Sequence, residues 1–206
     1  MKKARLIGRV LSWLPFVRAV ILNGSLASGG HKSSSDIDIL IIAEDGRIFS
    51  ARFLVNLLAV IIRVKRPRDE RADHAGKFCF NYFLTRSYLQ INYPKEREEY
   101  CAHNYAASIL LAGDRQLFAQ FLKTNEALFT KYNGNPQKSD CHSYPEAEFG
   151  VNSGRNLAPS SPNSFESWAR AYQVRKIEAD PITKKFKEEI VYNDRELRFH
   201  PKKRGK

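Results

Sequence analysis

The chain has 206 residues, 43% of them apolar and 27% charged, with 34 basic against 22 acidic residues and a formal net charge of +12. This composition supports a hydrophobic core of useful size, and the length suits one domain with an appendage or two small domains. The positive balance favours polyanionic partners such as nucleic acid, nucleotide phosphates or an anionic surface, and says nothing about fold.

Residues 3–14 are predicted to form a short amphipathic helix, with Leu6, Val10, Leu11 and Leu14 on one side and Pro15 as its stop. Val17 to Leu22 is a compact aliphatic run, read as a buried strand. Gly24-Ser25 then turns the chain, with Ser25 as the N-cap of a short helix that Gly29-Gly30 closes. A polar loop, His31 to Ser35, leads into a second strand from Asp36 to Ile42. Arg47 to Val64 reads as a long helix, apolar enough to lie against a sheet. Residues 65–76 are charged and loop-like. Lys77 to Leu84 is an aromatic-rich third strand, and Tyr88 to Asn92 a fourth.

Glu96 to Ala112 and Asp114 to Tyr132 both read as helices, separated by Gly113 as a C-cap and paired antiparallel. The apolar stripe of Phe118, Phe121 and Phe129 is assigned to core packing. Residues 133–163, rich in Asn, Gly, Pro and Ser, read as an irregular or disordered linker. Ser164 to Ala179 is a last helix, followed by a polar tail with a short strand near Ile190-Val191. The expected fold is thus α/β (α+β), a small mixed sheet flanked by helices and followed by a helical C-terminal region. Its divisions are a catalytic domain over 1–93, a helical hairpin over 94–132, the linker over 133–163, and a helix with a basic tail over 164–206. Arg198, Lys202, Lys203, Arg204 and Lys206 are read as solvated.

Cys79, Cys101 and Cys141 form no CxxC pair, so neither a zinc framework nor a disulfide framework is indicated, and they read as buried free thiols in a reducing compartment. The N-terminus does not resemble a signal peptide, because Arg5, Arg9 and Arg18 interrupt any apolar run. Phe53 to Ile62 is too short to span a bilayer. A cytoplasmic protein without a membrane partner is expected; the oligomeric state is left open.

The chemistry concentrates between Val20 and Ile42. A strand ending in a Gly-Ser turn offers backbone N–H groups to phosphate oxygens. Gly24 admits close approach because it has no Cβ. Ser25 adds a hydroxyl, and Ser35 stands at the end of the polar loop. In the next strand Asp36 and Asp38, two residues apart, point to the same side, while Ile37 and Ile39 face the core. Paired carboxylates repel unless a cation lies between them, and Mg²⁺ favours one or two carboxylates plus substrate phosphates. A phosphate cradle beside a metal site suits nucleotidyl transfer.

Asn23-Gly24-Ser25-Leu26-Ala27 followed by Ser35-Asp36-Ile37-Asp38-Ile39-Leu40 resembles the polymerase-beta-like nucleotidyltransferase superfamily. Gly46-Arg47, Phe78-Cys79-Phe80-Asn81-Tyr82-Phe83, Ala102-His103 and Phe199-His200-Pro201 are similar to phrases in uncharacterised bacterial proteins carrying that domain. The resemblance implies a nucleoside triphosphate such as ATP, held by Gly24 and Ser25, and two divalent ions, Mg²⁺ or Mn²⁺, ligated by Asp36 and Asp38. It also implies a third carboxylate on a later strand, where this chain offers Asn81, which can ligate a metal but cannot act as a general base. Asp69, Glu70 and Asp73 in the preceding loop are the candidates for that base. Arg52, Lys77 and the loop from His31 to Ser34 are further candidates for phosphate contact, and His103 and Asn104 for the cleft. The acceptor hydroxyl, on a small molecule, a protein or an RNA, is not legible. Two other classes stay open: a degenerate module that binds nucleotide or nucleic acid without turnover, and a toxin or antitoxin transferase.

Overall fold

The computed structural model describes residues 1–30, 35–67, 74–132, 164–187 and 189–199. Helix α1 (Lys2–Ser12) leads into β1 (Val17–Asn23), which pairs antiparallel with β2 (Ile37–Ala43). Helix α2 (Ile48–Ile61) crosses over to β3 (Phe78–Thr85), parallel to β2. Then come α3 (Glu98–Ala106), β4 (Ile109–Gly113), α4 (Arg115–Thr124), α5 (Glu126–Lys131), α6 (Ser164–Ala179), α7 (Pro181–Lys185), β5 (Val191–Tyr192) and β6 (Glu196–Arg198). The strands form one six-stranded mixed sheet in the order β4-β1-β2-β3-β6-β5.

Central strands bury both faces, which explains their near-continuous apolar runs. One layer holds α1, α2 and α6 against Val20, Leu22, Ile37, Ile39, Ile41 and Phe83. The other holds α3, α4 and α5 against Ala19, Ile21, Leu40, Ile42, Tyr82 and Leu84. Helix α2 has no side-chain cap of its own. Glu166 of α6, almost fully buried, accepts from the N–H groups of Phe49 (3.0 Å) and Ser50 (2.8 Å) instead. A carboxylate there satisfies orphan donors and meets the positive end of the helix dipole.

Four expected elements are corrected. The helix assigned to 96–112 ends at Ala106, and Ile109–Gly113 is an edge strand antiparallel to β1. Ile109 and Leu111 pack into one layer and Leu110 into the other, a period of two that serves both cores. Gly113 is therefore a strand end and not a helix cap. Its φ is +106°, and a Cβ there would lie 2.3 Å from the Arg18 carbonyl. The helix expected over 114–132 is two helices, broken at Asn125. The Asn125 side chain accepts from Ile91 N–H and donates to the Leu89 carbonyl, each at 2.8 Å. Those backbone groups are thereby satisfied without a partner strand, so Tyr88–Asn92 forms no strand beyond one isolated bridge from Thr85 to Tyr88. The fourth correction is the short helix after Ser25, where residues 25–29 form only a turn, with Ala27 and Ser28 N–H donating to the Gly24 carbonyl.

Arg198, expected in a solvated tail, is 4% exposed on β6, 3.5 Å from Glu196 and over the Tyr93 ring. The positions 31–34, 69, 70, 73, 141, 200 and 133–163 lie outside the described residues, and with them the readings placed there. No helix among the described residues is long and apolar enough to cross a membrane.

Candidate functional site

Two adjacent strand ends build the site. β1 and β2 run antiparallel with Asn23 opposite Asp38, so the turn after β1 stands beside the start of β2. Asp38 shares its face with Leu40 and Ile42, under the α3 layer. Gly24 has φ +75°, and a Cβ at that position would lie 2.5 Å from Asp38 Oδ2. The missing side chain thus makes room for the Asp38 carboxylate itself, where sequence reasoning had pictured a ligand. The Gly24 N–H is also engaged, donating to the Asn104 carbonyl at 3.3 Å. This bond ties the turn to α3, which roofs the site.

Under that roof lies a cavity of about 20 Å³ lined by Asp38, Tyr93, Arg97, Tyr100, Asn104 and Tyr105. A larger cavity of about 190 Å³ lies between segment 90–93, α3 and α5, and shares only Tyr93 with the first. It holds no residue of the Gly-Ser or Asp-x-Asp motifs. The small cavity is the one that reaches Asp38.

Burial, and after it the neighbouring Asp36 charge, raises the Asp38 carboxyl from 3.8 to about 7, against the lowering effects of Arg66 and Cys79. Asp36 is half-buried and pairs with Arg66, whose Nη1 lies 2.5 Å from Asp36 Oδ2. Arg66 Nε donates to His74 Nδ1 at 2.7 Å. Arg66 was not singled out in the sequence, because segment 65–76 reads as a charged loop. Yet Arg66 N–H donates to the Phe78 carbonyl and Phe78 N–H to the Val64 carbonyl, which docks 64–66 on β3. The β-branched Val64 just before it is the one local signal.

On β3, the residue opposite Asp38 is Cys79. Past it the register slips: Leu40 faces Tyr82, so Phe80 and Asn81 together oppose Ile39. This bulge leaves Asn81 outside the alternation, its amide donating to the Cys79 sulfur at 2.7 Å. Ligand atoms of Asp36, Asp38 and Cys79 all lie within 4.8 Å of one another. Burial, then the Asp38 and Asp36 charges, push the Cys79 thiol well above its usual range.

Of the residues singled out in the sequence, Gly24, Asp36 and Asp38 lie together with Cys79, Ser25 follows Gly24 in the turn, and Asn81 joins through its bond to the Cys79 sulfur. Ser35 precedes Asp36 and is half-buried, its carbonyl accepting from Gly76 N–H. Arg52 stands apart on α2, in the opposite layer, where it donates to Gln173 at 2.6 Å and stacks 4.3 Å from the Phe199 ring. Lys77 donates to the Arg63 carbonyl, and His103 is exposed.

Residues 4–99 match the model of the nucleotidyltransferase domain family. The match runs from α1 into α3, just under half of the chain, and contains Gly24, Ser25, Asp36, Asp38, Cys79 and Asn81, so in this stretch the chain is similar to that family. No curated protein matches the chain significantly. Among solved structures the chain is similar to a toxin–antitoxin complex with AMP-PNP, at 15% identity and a TM-score of 0.36, over 65% of this chain and 94% of that one. It is also similar to a mutant form of the toxin–antitoxin pair MntA–HpeT, at 14% identity and a TM-score of 0.33, over 64% of this chain and 91% of that one. Likenesses at this level carry no argument about activity.

Proposed function

We propose that the chain transfers a nucleoside monophosphate from a nucleoside triphosphate to an acceptor hydroxyl and releases pyrophosphate, with Mg²⁺ or Mn²⁺ held at Asp36 and Asp38. The observation that carries this reading is the closeness of two carboxylates to the Gly-Ser turn, with Arg66 paired to Asp36 and not to Asp38. The donor set fits such an ion. Two hard oxygen groups lie side by side, and burial first, then the Asp36 charge, raises the Asp38 carboxyl, which a bound cation would offset.

A bound divalent ion would neutralise charge on the phosphates and on the departing pyrophosphate. The residues of this chain supply the rest. Asp36 and Asp38 orient the ion. Gly24 lets the Asp38 carboxylate sit against the main chain, and Ser25 offers its hydroxyl to a phosphate oxygen. Arg66, already on Asp36, is a second positive group within reach of a triphosphate. The acceptor belongs to a small molecule, a protein or an RNA.

The test is incubation with Mg²⁺ and α-phosphate-labelled triphosphates, reading both label transfer and pyrophosphate release with acceptors of all three kinds. Asp38→Asn is expected to lower transfer by about a thousandfold, the upper range for removal of one electrostatic stabiliser. Transfer at the wild-type rate in Asp38→Asn would falsify the metal assignment. A second reading, nucleotide binding without turnover, is favoured by β3, which offers Cys79 and Asn81 and no carboxylate near the aspartates among the described residues. Calorimetric binding of ATP with Mg²⁺, but no pyrophosphate with any acceptor, would favour it.

A further inference from the structure

We propose that Cys79 completes a mixed oxygen and sulfur metal site with Asp36 and Asp38, and that this site takes a thiophilic divalent cation such as Zn²⁺, Co²⁺ or Cd²⁺. The inference rests on the assignment of the two aspartates as metal ligands made above, and goes beyond it in the third ligand and in the class of ion.

Three observations point the same way. First, Cys79 is 3% exposed and directly opposite Asp38 across the parallel β2–β3 pair. Its surroundings are polar. Asn81 Nδ2 donates to its sulfur, and Arg66 Nη1 lies 3.9 Å away. A thiol that merely fills the core would be lined by hydrocarbon. Second, the ligand atoms lie within 4.8 Å of one another, and a tetrahedral ion at about 2.0 Å from oxygen and 2.3 Å from sulfur needs them about 3.3–3.5 Å apart, a closing of little more than about 1 Å that side-chain rotation can supply. Third, Asn23 lies across from Asp38 on the other side, 2% exposed, and its Oδ1 has no hydrogen-bond partner. Residues directly opposite in an antiparallel pair project to the same face with Cβ atoms about 5 Å apart. A buried carbonyl oxygen without a donor is costly, and an ion beside Asp38 would satisfy it.

The set is thus two carboxylates, one thiol and one amide oxygen, drawn from three adjacent strands. Mg²⁺ prefers oxygen alone, whereas thiolates select softer ions. On binding, the thiol gives its proton to solvent and the sulfur lone pair forms the bond to the ion, so uptake of one ion releases one proton from Cys79. Arg66 holds one oxygen of Asp36 and leaves the other to the ion.

The test uses the full chain carrying Cys101→Ser and Cys141→Ser, which leaves Cys79 as the only thiol. Titration with Co²⁺ should produce a thiolate-to-cobalt charge-transfer absorption that saturates at one equivalent and is absent after Cys79→Ser. Calorimetry should show Cd²⁺ affinity falling at least about tenfold to a hundredfold in Cys79→Ser, with Mg²⁺ affinity nearly unchanged. The absorption in the single-thiol protein needs no substitution at Cys79, so a folding defect in Cys79→Ser does not blunt the test. Co²⁺ binding without charge transfer, or Cd²⁺ affinity indifferent to Cys79, overturns the proposal. In that case Mg²⁺ binding that is lost in Asp38→Asn leaves the transferase reading standing. Failure of every divalent ion to bind overturns both.

Discussion

Two groups of buried charge lie in the same layer of the sheet, and they differ in balance. At the start of β2, Asp36 pairs with Arg66, while Asp38, which forms no ion pair among the described residues, has its carboxyl driven up to about 7, by burial first. On β6, Glu196 pairs with Arg198, each 4% exposed, and Arg198 stacks on Tyr93. The second group is neutral as built. The first leaves one carboxyl without an ion pair among the described residues, next to a glycine turn inside a chain of net charge +12. Burial alone therefore does not mark a ligand site. Uncompensated burial is the better mark, because the repulsion must be relieved by a proton or by a bound cation.

The largest way to break this contrast is Asp38→Asn. Transfer should fall by about a thousandfold while the cation-free protein becomes more stable at pH 8. The folded chain binds the Asp38 proton more tightly than the unfolded one, which titrates near 3.8. Stability is then fully present below pH 4 and declines as pH rises to about 7, by up to about 4 kcal/mol. Urea titrations of both proteins at pH 4 and pH 8, without divalent ions, read this directly. Equal stabilities at pH 8 would show that the Asp38 charge costs nothing.

Arg198→Met is the converse. It strands Glu196 in the core and should cost about 3 kcal/mol, most of it recovered in the double variant Glu196→Leu, Arg198→Met. Transfer per folded molecule should stay near wild type. A large fall in transfer at full stability would join the two groups into one site. Gly24→Ala comes next. A Cβ at 2.5 Å from Asp38 Oδ2, on a backbone at φ +75°, should cost about 1–2 kcal/mol and displace the carboxylate, lowering transfer at least about tenfold. The smallest effect is Arg52→Met, which loses the Gln173 bond and the Phe199 stack for about 1 kcal/mol. Its KM for the triphosphate should not move. A tenfold rise in KM would bring Arg52 into the phosphate site.

Much of the site was legible because its parts are local. Gly24 and Ser25 end a strand, and Asp36 and Asp38 stand two apart on the next, so period and turn chemistry put them together. Arg66 and Cys79 were not legible as partners. One reaches Asp36 through the docking of segment 64–66, the other through a register that an alternation rule cannot supply once Asn81 bulges. Ile109–Gly113 shows the same limit in the fold: its local pattern suits a helix, and the open edge of β1 makes it a strand.

The sequence by itself determined a mixed α/β fold and the Gly-Ser and Asp-x-Asp motifs, since these depend on spacings of a few residues. Tertiary structure alone decided that α3 roofs Asp38, that Cys79 and Asn23 flank it, and that the glycine serves the carboxylate. Those contacts join residues far apart in the chain, and strand pairing, bulges and layer packing set them through interactions no single segment contains.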